Sequence, residues 1–403
     1  MLFIKNFINH NKRSILIAIT MLIKSIILLW LPRYVIKLFD ENTYSIYVIF
    51  NTYLSFILVL SLTTSNRILL KLQSYHKFLD ECGYHLFLNY ILYFFFTLII
   101  LYKIDYIFFI FLALSSVTLV FNYIQLNLIY KNKIFELILY EAIYILTLFF
   151  TLHFIKKLNL QNEFSLIIAY TFAIFTIVII NFRKAMPLFK TFNFNNFLNK
   201  TKKILREEII YYDIIKKVYF PLLLLMIINL YGEENNYKNI LISIGIASAI
   251  VYFPGNLIGK SFGLIQINRT QIFKNEFIYS IFLNLVGIIF FVLFFFYGFE
   301  HIANFYLQDK NIIFKFIFII FLILGIFHYL SEIYVPFAIK SNNSNIILYT
   351  YLVANFFLLI IFIFTHIYNL EFKWFFSLVA LSFSLSQSVS IYKLNVIWYR
   401  LLY

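Results

Sequence analysis

The sequence predicts an all-α integral membrane protein of about twelve transmembrane helices. Three observations lead to this prediction. The composition is too apolar for a water-soluble fold, long apolar segments follow one another along the chain, and Lys and Arg gather on one side of these segments. Together they predict the number of helices, their division into two halves and their orientation in the membrane.

The composition excludes a soluble globular protein. Of the 403 residues, 63% are hydrophobic and 13% are charged, whereas soluble proteins are roughly 45–50% apolar and about 25% charged. The one cysteine, Cys82, excludes a disulfide within the chain and offers no metal-binding pattern. The sequence also lacks nucleotide-binding glycine loops, HExxH, GxSxG and Cys–His zinc spacings. We therefore expect no enzyme activity, no cofactor and no metal.

Twelve apolar segments are predicted as membrane spans, which need about 20 residues each. In chain order, spans one to twelve cover residues 14–31, 44–62, 84–101, 106–130, 137–155, 165–181, 218–231, 239–258, 277–298, 312–335, 346–367 and 374–392. The longest connection separates six spans from six. We therefore expect an N-terminal six-helix bundle over 1–181, a basic cytoplasmic linker over 182–217 and a C-terminal six-helix bundle over 218–403.

Membrane orientation explains most of the net charge of +15. If the N-terminus is cytoplasmic, most of the 33 Lys and Arg residues lie beside the cytoplasmic ends of the spans. Because positive residues stay on the cytoplasmic side, both termini are predicted to be cytoplasmic. The cations are spread over short loops and form no groove-reading fold. Attraction to anionic membrane lipids is therefore favoured over binding of nucleic acid.

The basic linker carries an amphipathic pattern. Four apolar residues recur at helical spacing among clustered charges: Leu205, Ile209, Tyr212 and Ile215. We expect an amphipathic helix that lies on the cytoplasmic leaflet and leads into span seven. The alternative is a disordered charged linker.

Lys24 is the most deeply placed charge in the predicted spans. A charge in hydrocarbon usually faces a protein interior or a water-filled cavity. Because Lys24 lies far from the start of its span at Ser14, snorkelling to the interface is strained. We expect Lys24 to line a cavity that accepts an anionic headgroup. The alternative is a lysine that pairs with a carboxylate or snorkels to the interface.

Two predicted spans carry a polar stripe on one helical face. Span two has Tyr44, Tyr47, Asn51 and Ser55, and span four has Ser115, Thr118, Asn122 and Gln125. Such stripes either line a hydrophilic path or join helices by hydrogen bonds. Two stripes in the same half favour a shared polar cavity, with Asn51, Asn122 and Gln125 as candidate lining residues.

Three titratable residues inside the spans are candidates for ion coupling. Glu141 lies one turn inside span five, and His328 and Glu332 form an i, i+4 pair near the cytoplasmic end of span ten. Because His titrates near neutrality, the pair is suited to relay protons. The alternative is a static hydrogen bond close to the headgroups.

The most specific local pattern lies between Leu31 and Leu70. Its residues are Pro32, Arg33, Tyr34, Glu41, Tyr44, Tyr47 and Arg67. The pattern resembles the opening of the oligosaccharide flippases of the multidrug/oligosaccharidyl-lipid/polysaccharide (MOP) superfamily, including the O-antigen flippases. There, a Pro and an Arg-Tyr linker end span one, and an acidic residue and Tyr-Gly-x-Tyr open span two. Ser45 stands where Gly is usual, and Thr63-Thr64 replace the usual Asp-Gly or Ser-Gly.

The resemblance implies a transporter with two six-helix bundles that form a V around a central cavity, as in MATE-like proteins. Its cargo would be an oligosaccharide on undecaprenyl pyrophosphate, moved to the outer leaflet of a bacterial inner membrane for O-antigen, lipopolysaccharide or similar polysaccharide biosynthesis. Lys24, with Arg67 and Lys260 at the cavity mouth, would offset the pyrophosphate charge. Ion-coupled exchange and polysaccharide assembly proteins as partners are further implications.

Two other functions fit parts of the sequence. O-antigen polymerase, a membrane glycosyltransferase, is also rich in Phe and Ile and has many spans. It generally carries its large loops on the periplasmic side, whereas the longest loop here is basic and predicted to be cytoplasmic. A small-molecule exporter on the same fold is also compatible with the polar stripes.

Overall fold

The computed structural model describes residues 27, 30–62, 74–101, 106–131, 133–160, 162–190, 193–206, 208–232, 239–245, 311–340 and 344–402. Every regular element in these ranges is a helix, and no strand occurs in them. Residues 30–38 and 239–245 are helical in addition to the twelve numbered helices below. The predicted all-α class is therefore confirmed.

The chain packs into two compact units. We call Leu38–Leu225 the N-terminal unit, and Met1–Lys37 with Met226–Tyr403 the C-terminal unit. The N-terminal unit contains α1 (Glu41–Leu60), α2 (Tyr75–Leu101), α3 (Tyr106–Ser115), α4 (Val117–Tyr130), α5 (Ile134–Lys157), α6 (Ser165–Ile180), α7 (Phe182–Lys190) and α8 (Phe194–Leu205). The boundary between units falls within α9 (Glu208–Tyr231), and the C-terminal unit contains α10 (Asn311–Lys340), α11 (Ser344–Tyr368) and α12 (Phe372–Leu402).

Seven helical stretches in the described ranges are long and apolar enough to cross a membrane: Glu41–Leu60, Tyr75–Ile100, Tyr106–Leu128, Phe135–Lys157, Ile214–Tyr231, Asn345–Tyr368 and Phe372–Val396. Two shorter apolar helices cover Ser165–Ile180 and Lys315–His328. These stretches coincide with predicted spans two to seven and ten to twelve. Spans one, eight and nine lie wholly or partly outside the described residues.

Several helices extend beyond the predicted spans. Helix α2 begins at Tyr75 rather than near residue 84, α9 begins at Glu208 rather than near 218, and α12 continues to Leu402. The additional turns carry charged residues such as Lys77 and Lys393. Hydropathy measures the apolar part that fits the bilayer, whereas a helix continues as long as its backbone bonds are satisfied.

Predicted span four is interrupted at Ser116. The amide of Ser116 donates to the Ala113 carbonyl at 3.2 Å, and the amide of Leu119 donates to the Ser116 carbonyl at 2.9 Å. Both bonds join residues three apart, which is the pattern of a 3₁₀ turn. The span therefore consists of two α-helices, α3 and α4, joined by one tighter turn.

The linker forms two short helices, α7 and α8, before α9 begins. The predicted stripe is divided between two elements, because Leu205 ends α8 whereas Ile209, Tyr212 and Ile215 belong to the first turns of α9. The Asn193 side chain accepts a hydrogen bond from the Asn195 amide at 3.0 Å and caps α8. The four residues of the predicted stripe therefore do not lie on one helix, because α8 ends at Leu205.

Aromatic packing forms the interior of the N-terminal unit. Its main cluster includes Phe50, Leu54, Phe78, Tyr93, Leu112, Tyr123 and Ile167. Phe78 is 0% exposed, and its ring lies 4.0 Å from the ring of Tyr130. Because lipid provides no hydrophobic driving force between helices, such close packing holds the bundle together.

In the C-terminal unit, α12 packs against both α10 and α11. Phe321 of α10 contacts Phe376 with ring centroids 6.4 Å apart, and Tyr351 of α11 contacts Phe383 at 6.2 Å. The chain reverses from α11 into α12 at Asn369, which has a φ of 47°. Asn tolerates this left-handed conformation at a helix end better than most residues.

Candidate functional site

A row of tyrosines crosses the interior of the N-terminal unit. Tyr44 and Tyr47 lie one turn apart on α1, with ring centroids separated by 6.4 Å. Tyr47 contacts Tyr170 of α6 at 6.0 Å, and Tyr170 contacts Tyr144 of α5 at 6.3 Å. We call these four residues the tyrosine row. It joins phenol groups from three helices, and its α5 member, Tyr144, lies one turn from Glu141.

Glu141 is buried in the same interior, with 2% of its surface exposed. The Nε2 atom of Gln125 on α4 donates a hydrogen bond to Glu141 Oε1 at 2.6 Å. An ionisable side chain within a membrane bundle is costly to retain and is usually functional. Gln125 and Glu141, both predicted candidates, are thus brought together, and the carboxyl group can take up and release a proton or bind a cation.

The two polar stripes face different environments. Ser115 at the end of α3 and Thr118 of α4 are buried, and Asn122 and Gln125 of α4 are half-buried, so this stripe points into the bundle. On α1, Asn51 is exposed at the middle of the helix. The span-four stripe therefore joins helices through Gln125. In the α1 stripe, Tyr44 and Tyr47 belong to the tyrosine row, whereas Asn51 lies at the surface of the unit.

A second polar group in the N-terminal unit was not predicted from the sequence. Asn89 is fully buried and bonds the Tyr123 hydroxyl at 3.1 Å. With its amide turned to satisfy both atoms, its nitrogen donates to the carbonyls of Ser61 and His85 at 2.9 and 3.0 Å. The sequence could have indicated this group, because His85 and Asn89 stand four residues apart within an apolar segment.

In the C-terminal unit, His328 is paired with a tyrosine. Its Nδ1 atom lies 2.9 Å from the Tyr351 hydroxyl, across the α10–α11 contact. Glu332 lies one turn further along α10, but its side chain lies outside the described residues. The predicted proton relay between His328 and Glu332 therefore stays a prediction. The hydrogen-bond partner that the structure shows for His328 is Tyr351, on another helix.

Gln387 on α12 is a buried polar residue that the sequence analysis did not select. It is 0% exposed, and neither amide atom has a hydrogen-bond partner within the described part of the chain. The buried hydroxyl of Ser390, one turn later, also has no hydrogen-bond partner within these ranges. The Ser- and Gln-rich composition of residues 382–390 was the signal for this polar stretch.

The other predicted site residues lie outside the described residues. They are Lys24, Arg67 and Lys260. Among the residues that the structure does describe, no group of three or more His, Cys, Asp or Glu side chains is arranged to hold a metal ion.

The chain is similar to solved transporters over almost its whole length. A MATE transporter in complex with MaL6 aligns with a TM-score of 0.66 at 12% identity, covering 96% of this chain and 96% of that chain. An outward-facing multidrug resistance MATE family transporter of the MOP superfamily aligns with a TM-score of 0.62 at 14% identity, covering 97% and 95%. The chain has the MATE fold.

This likeness confirms the predicted all-α membrane class, and the aligned MATE structures have the twelve-helix MOP fold. A further structure with this fold is a MOP superfamily transporter from Pyrococcus furiosus, whose reversed pocket polarity suggests a different function for that protein. It aligns with a TM-score of 0.59 at 13% identity, covering 96% of this chain and 95% of that chain. No protein-family model and no curated protein matches the sequence.

Proposed function

We propose that this chain is a transporter that flips oligosaccharide linked to undecaprenyl pyrophosphate from the cytoplasmic to the outer leaflet of a bacterial inner membrane. A transport function is supported by the similarity of almost the whole chain to MATE transporters. The oligosaccharide cargo is supported by the resemblance of Leu31–Leu70 to the flippases of the same superfamily. Alternating access is the corresponding mechanism.

The exposed Asn51 supports a hydrophilic path along the N-terminal unit. Its amide lies midway along α1, where a lipid-facing polar group would be unfavourable. Tyr47 and Ser55, one turn to either side, are partly accessible. Amide, phenol and hydroxyl groups on one face suit a cargo with many sugar hydroxyls, because each of these groups can donate and accept hydrogen bonds.

We further propose that Glu141 couples transport to protons. Its carboxyl group is buried between α4 and α5 and is hydrogen-bonded by a neutral amide. Uptake of a proton would remove a charge from the interior and change the hydrogen bonding between these helices. His328, bonded to Tyr351 in the C-terminal unit, is the second candidate for this role.

Deletion of the gene tests the cargo. If the chain is a flippase, deletion abolishes all surface glycan of the affected type, because no repeat unit reaches the outer leaflet. Surface glycan is measured by gel electrophoresis of the extracted lipids, with the plasmid-borne gene as control. Survival of a single unpolymerised repeat unit on the outer lipid would instead identify the polymerase.

The second candidate function is export of small molecules. The outward-facing structure with the same fold is a multidrug resistance transporter, and the P. furiosus protein indicates that pocket polarity separates functions within the fold. An exporter would leave surface glycan unchanged on deletion and would raise the sensitivity of the host to the exported compound.

Lys24 is the proposed cation for the pyrophosphate. Lys24→Ala should reduce surface glycan to the level of the deletion strain, because a phosphate-binding charge is lost. The amount of protein in the membrane should stay unchanged. Lys37→Ala, which removes an exposed lysine, is the matched control and should be fully active. A fully active Lys24→Ala protein would exclude this role.

A further inference from the structure

Helix α8 is fixed to the N-terminal unit by one face. Phe197 packs edge-on against Phe87 of α2, with ring centroids 5.1 Å apart. Ile204, two turns later, is buried. These contacts define the side of α8 that faces the protein.

An ion pair on the same face sets the rotation of α8. The Nζ atom of Lys200 lies 2.6 Å from Glu81 Oε1 and 3.1 Å from Asp80 Oδ2, both on α2. Partial burial disfavours the charged lysine, but the hydrogen bonds that Lys200 donates to Glu81 and Asp80 outweigh this effect, so the pKa of Lys200 is raised. Lys200 therefore stays protonated, and the carboxylates of Glu81 and Asp80 balance its charge.

A second face of α8 carries large apolar side chains that are exposed. Phe194 is 70% exposed and Leu198 72% exposed, and Leu205 is also exposed. At 100° per residue, the three lie within about 40° of one another around the helix axis. They form an apolar stripe along α8, with Thr201 between Leu198 and Leu205, and such a stripe is unusual for a surface that faces water.

The third face carries cations. Lys202, Lys203 and Arg206 are exposed, and none of them forms an ion pair within the described ranges. They lie beside the apolar stripe, on the side away from the protein contact.

Helix α7 repeats this arrangement. Its Lys184 turns inward and pairs with Glu136 of α5, whereas Arg183 is exposed. Phe182 and Met186, one turn apart, are exposed apolar residues. In both helices the inward lysine is matched by a carboxylate, so only the outward cations remain to attract an anionic partner.

We propose that α7 and α8 form a binding surface for the anionic headgroup layer of the cytoplasmic leaflet, with the apolar stripe inserted below the headgroups. An apolar stripe flanked by basic residues is the pattern of an interfacial helix, and anionic lipids attract such cations. A protein partner would need an acidic surface and an apolar surface side by side. The leaflet always offers both, because its anionic headgroups adjoin its acyl chains. The proposal is independent of the cargo.

The test places a reporter on the stripe of the full-length protein. Leu198→Cys is labelled with a nitroxide and reconstituted into vesicles of phosphatidylcholine alone or mixed with phosphatidylglycerol. In the mixed vesicles we expect the label to be reached by oxygen and protected from a water-soluble relaxation agent. Asn196→Cys, on the exposed polar side of α8, should stay accessible to the water-soluble agent in both vesicles.

The charge requirement is tested in the same protein. Each outward cation contributes about fivefold to the affinity for an anionic surface. K202Q/K203Q/R206Q, which removes these three charges, should therefore weaken docking on the order of a hundredfold, so that the Leu198→Cys label becomes water-accessible. Wild type, whose Cys82 is buried, serves as the labelling blank. Equal water access at positions 198 and 196 in both lipid mixtures would overturn the proposal, as would burial of the 198 label only when another protein is added.

Discussion

Replacing Glu141 with Gln should abolish proton-driven transport and leave the fold intact. Gln keeps the size of Glu and a hydrogen bond to Gln125, but it cannot titrate. In vesicles with a fluorescent short-chain polyprenyl-pyrophosphate glycan as cargo, wild-type transport should respond to a pH gradient, because the proposed coupling carries a proton in each cycle. The Glu141→Gln variant should give the signal of protein-free vesicles.

Two variants control for a merely structural effect. Glu136→Gln removes a carboxylate from the same helix, where Glu136 pairs with Lys133 and Lys184, and transport should persist. Glu141→Asp, which retains a titratable group, should restore part of the pH response. If Glu141→Gln keeps the full pH response and His328→Ala loses it, then the coupling residue is His328.

Replacing Phe78 with Ala should lower the free energy of unfolding by about 3–5 kcal/mol, because the side chain is fully buried and leaves a cavity. The ring contacts both Tyr75 and Tyr130, at 6.2 and 4.0 Å. In detergent, we expect a lower unfolding temperature, measured by circular dichroism at the helical band.

Phe95→Ala provides the matched comparison. Phe95 lies on the same helix, α2, but is 55% exposed, so its removal should change the free energy of unfolding by less than about 1 kcal/mol. Equal losses in the two variants would mean that Phe78 does not form part of the packed interior.

Hydropathy and charge predicted most of the fold. The apolar segments matched helices because bilayer thickness fixes the number of apolar residues in a span. The same argument missed the ends of helices, such as Tyr75 and Glu208, where charged turns continue the helix beyond the apolar part. It also grouped Leu205 with Ile209 on one helix, because the two share a periodic pattern, whereas the structure places them on α8 and α9.

The candidate site was predictable only as separate residues. Gln125 and Glu141 were both selected for their polarity, but their hydrogen bond depends on how α4 packs against α5. His328 was assigned a partner on its own helix, because an i, i+4 spacing can be recognised in a sequence. Its contact with Tyr351 depends on how α10 packs against α11, which a sequence does not show. Gln387 was missed because its significance lies in complete burial, which the sequence does not contain.

The turn at Ser116 has a mechanical consequence. One half of the span is anchored by Tyr93, whose hydroxyl donates to the Leu112 carbonyl at 2.6 Å, and the other half carries Gln125. The turn interrupts the regular α-helical bonding between the halves. We therefore expect the span to bend more easily at Ser116 than within α3 or α4. Because Asn89 of α2 also bonds Tyr123 in the half that bears Gln125, a rearrangement at Glu141 could tilt that half only by breaking this hydrogen bond.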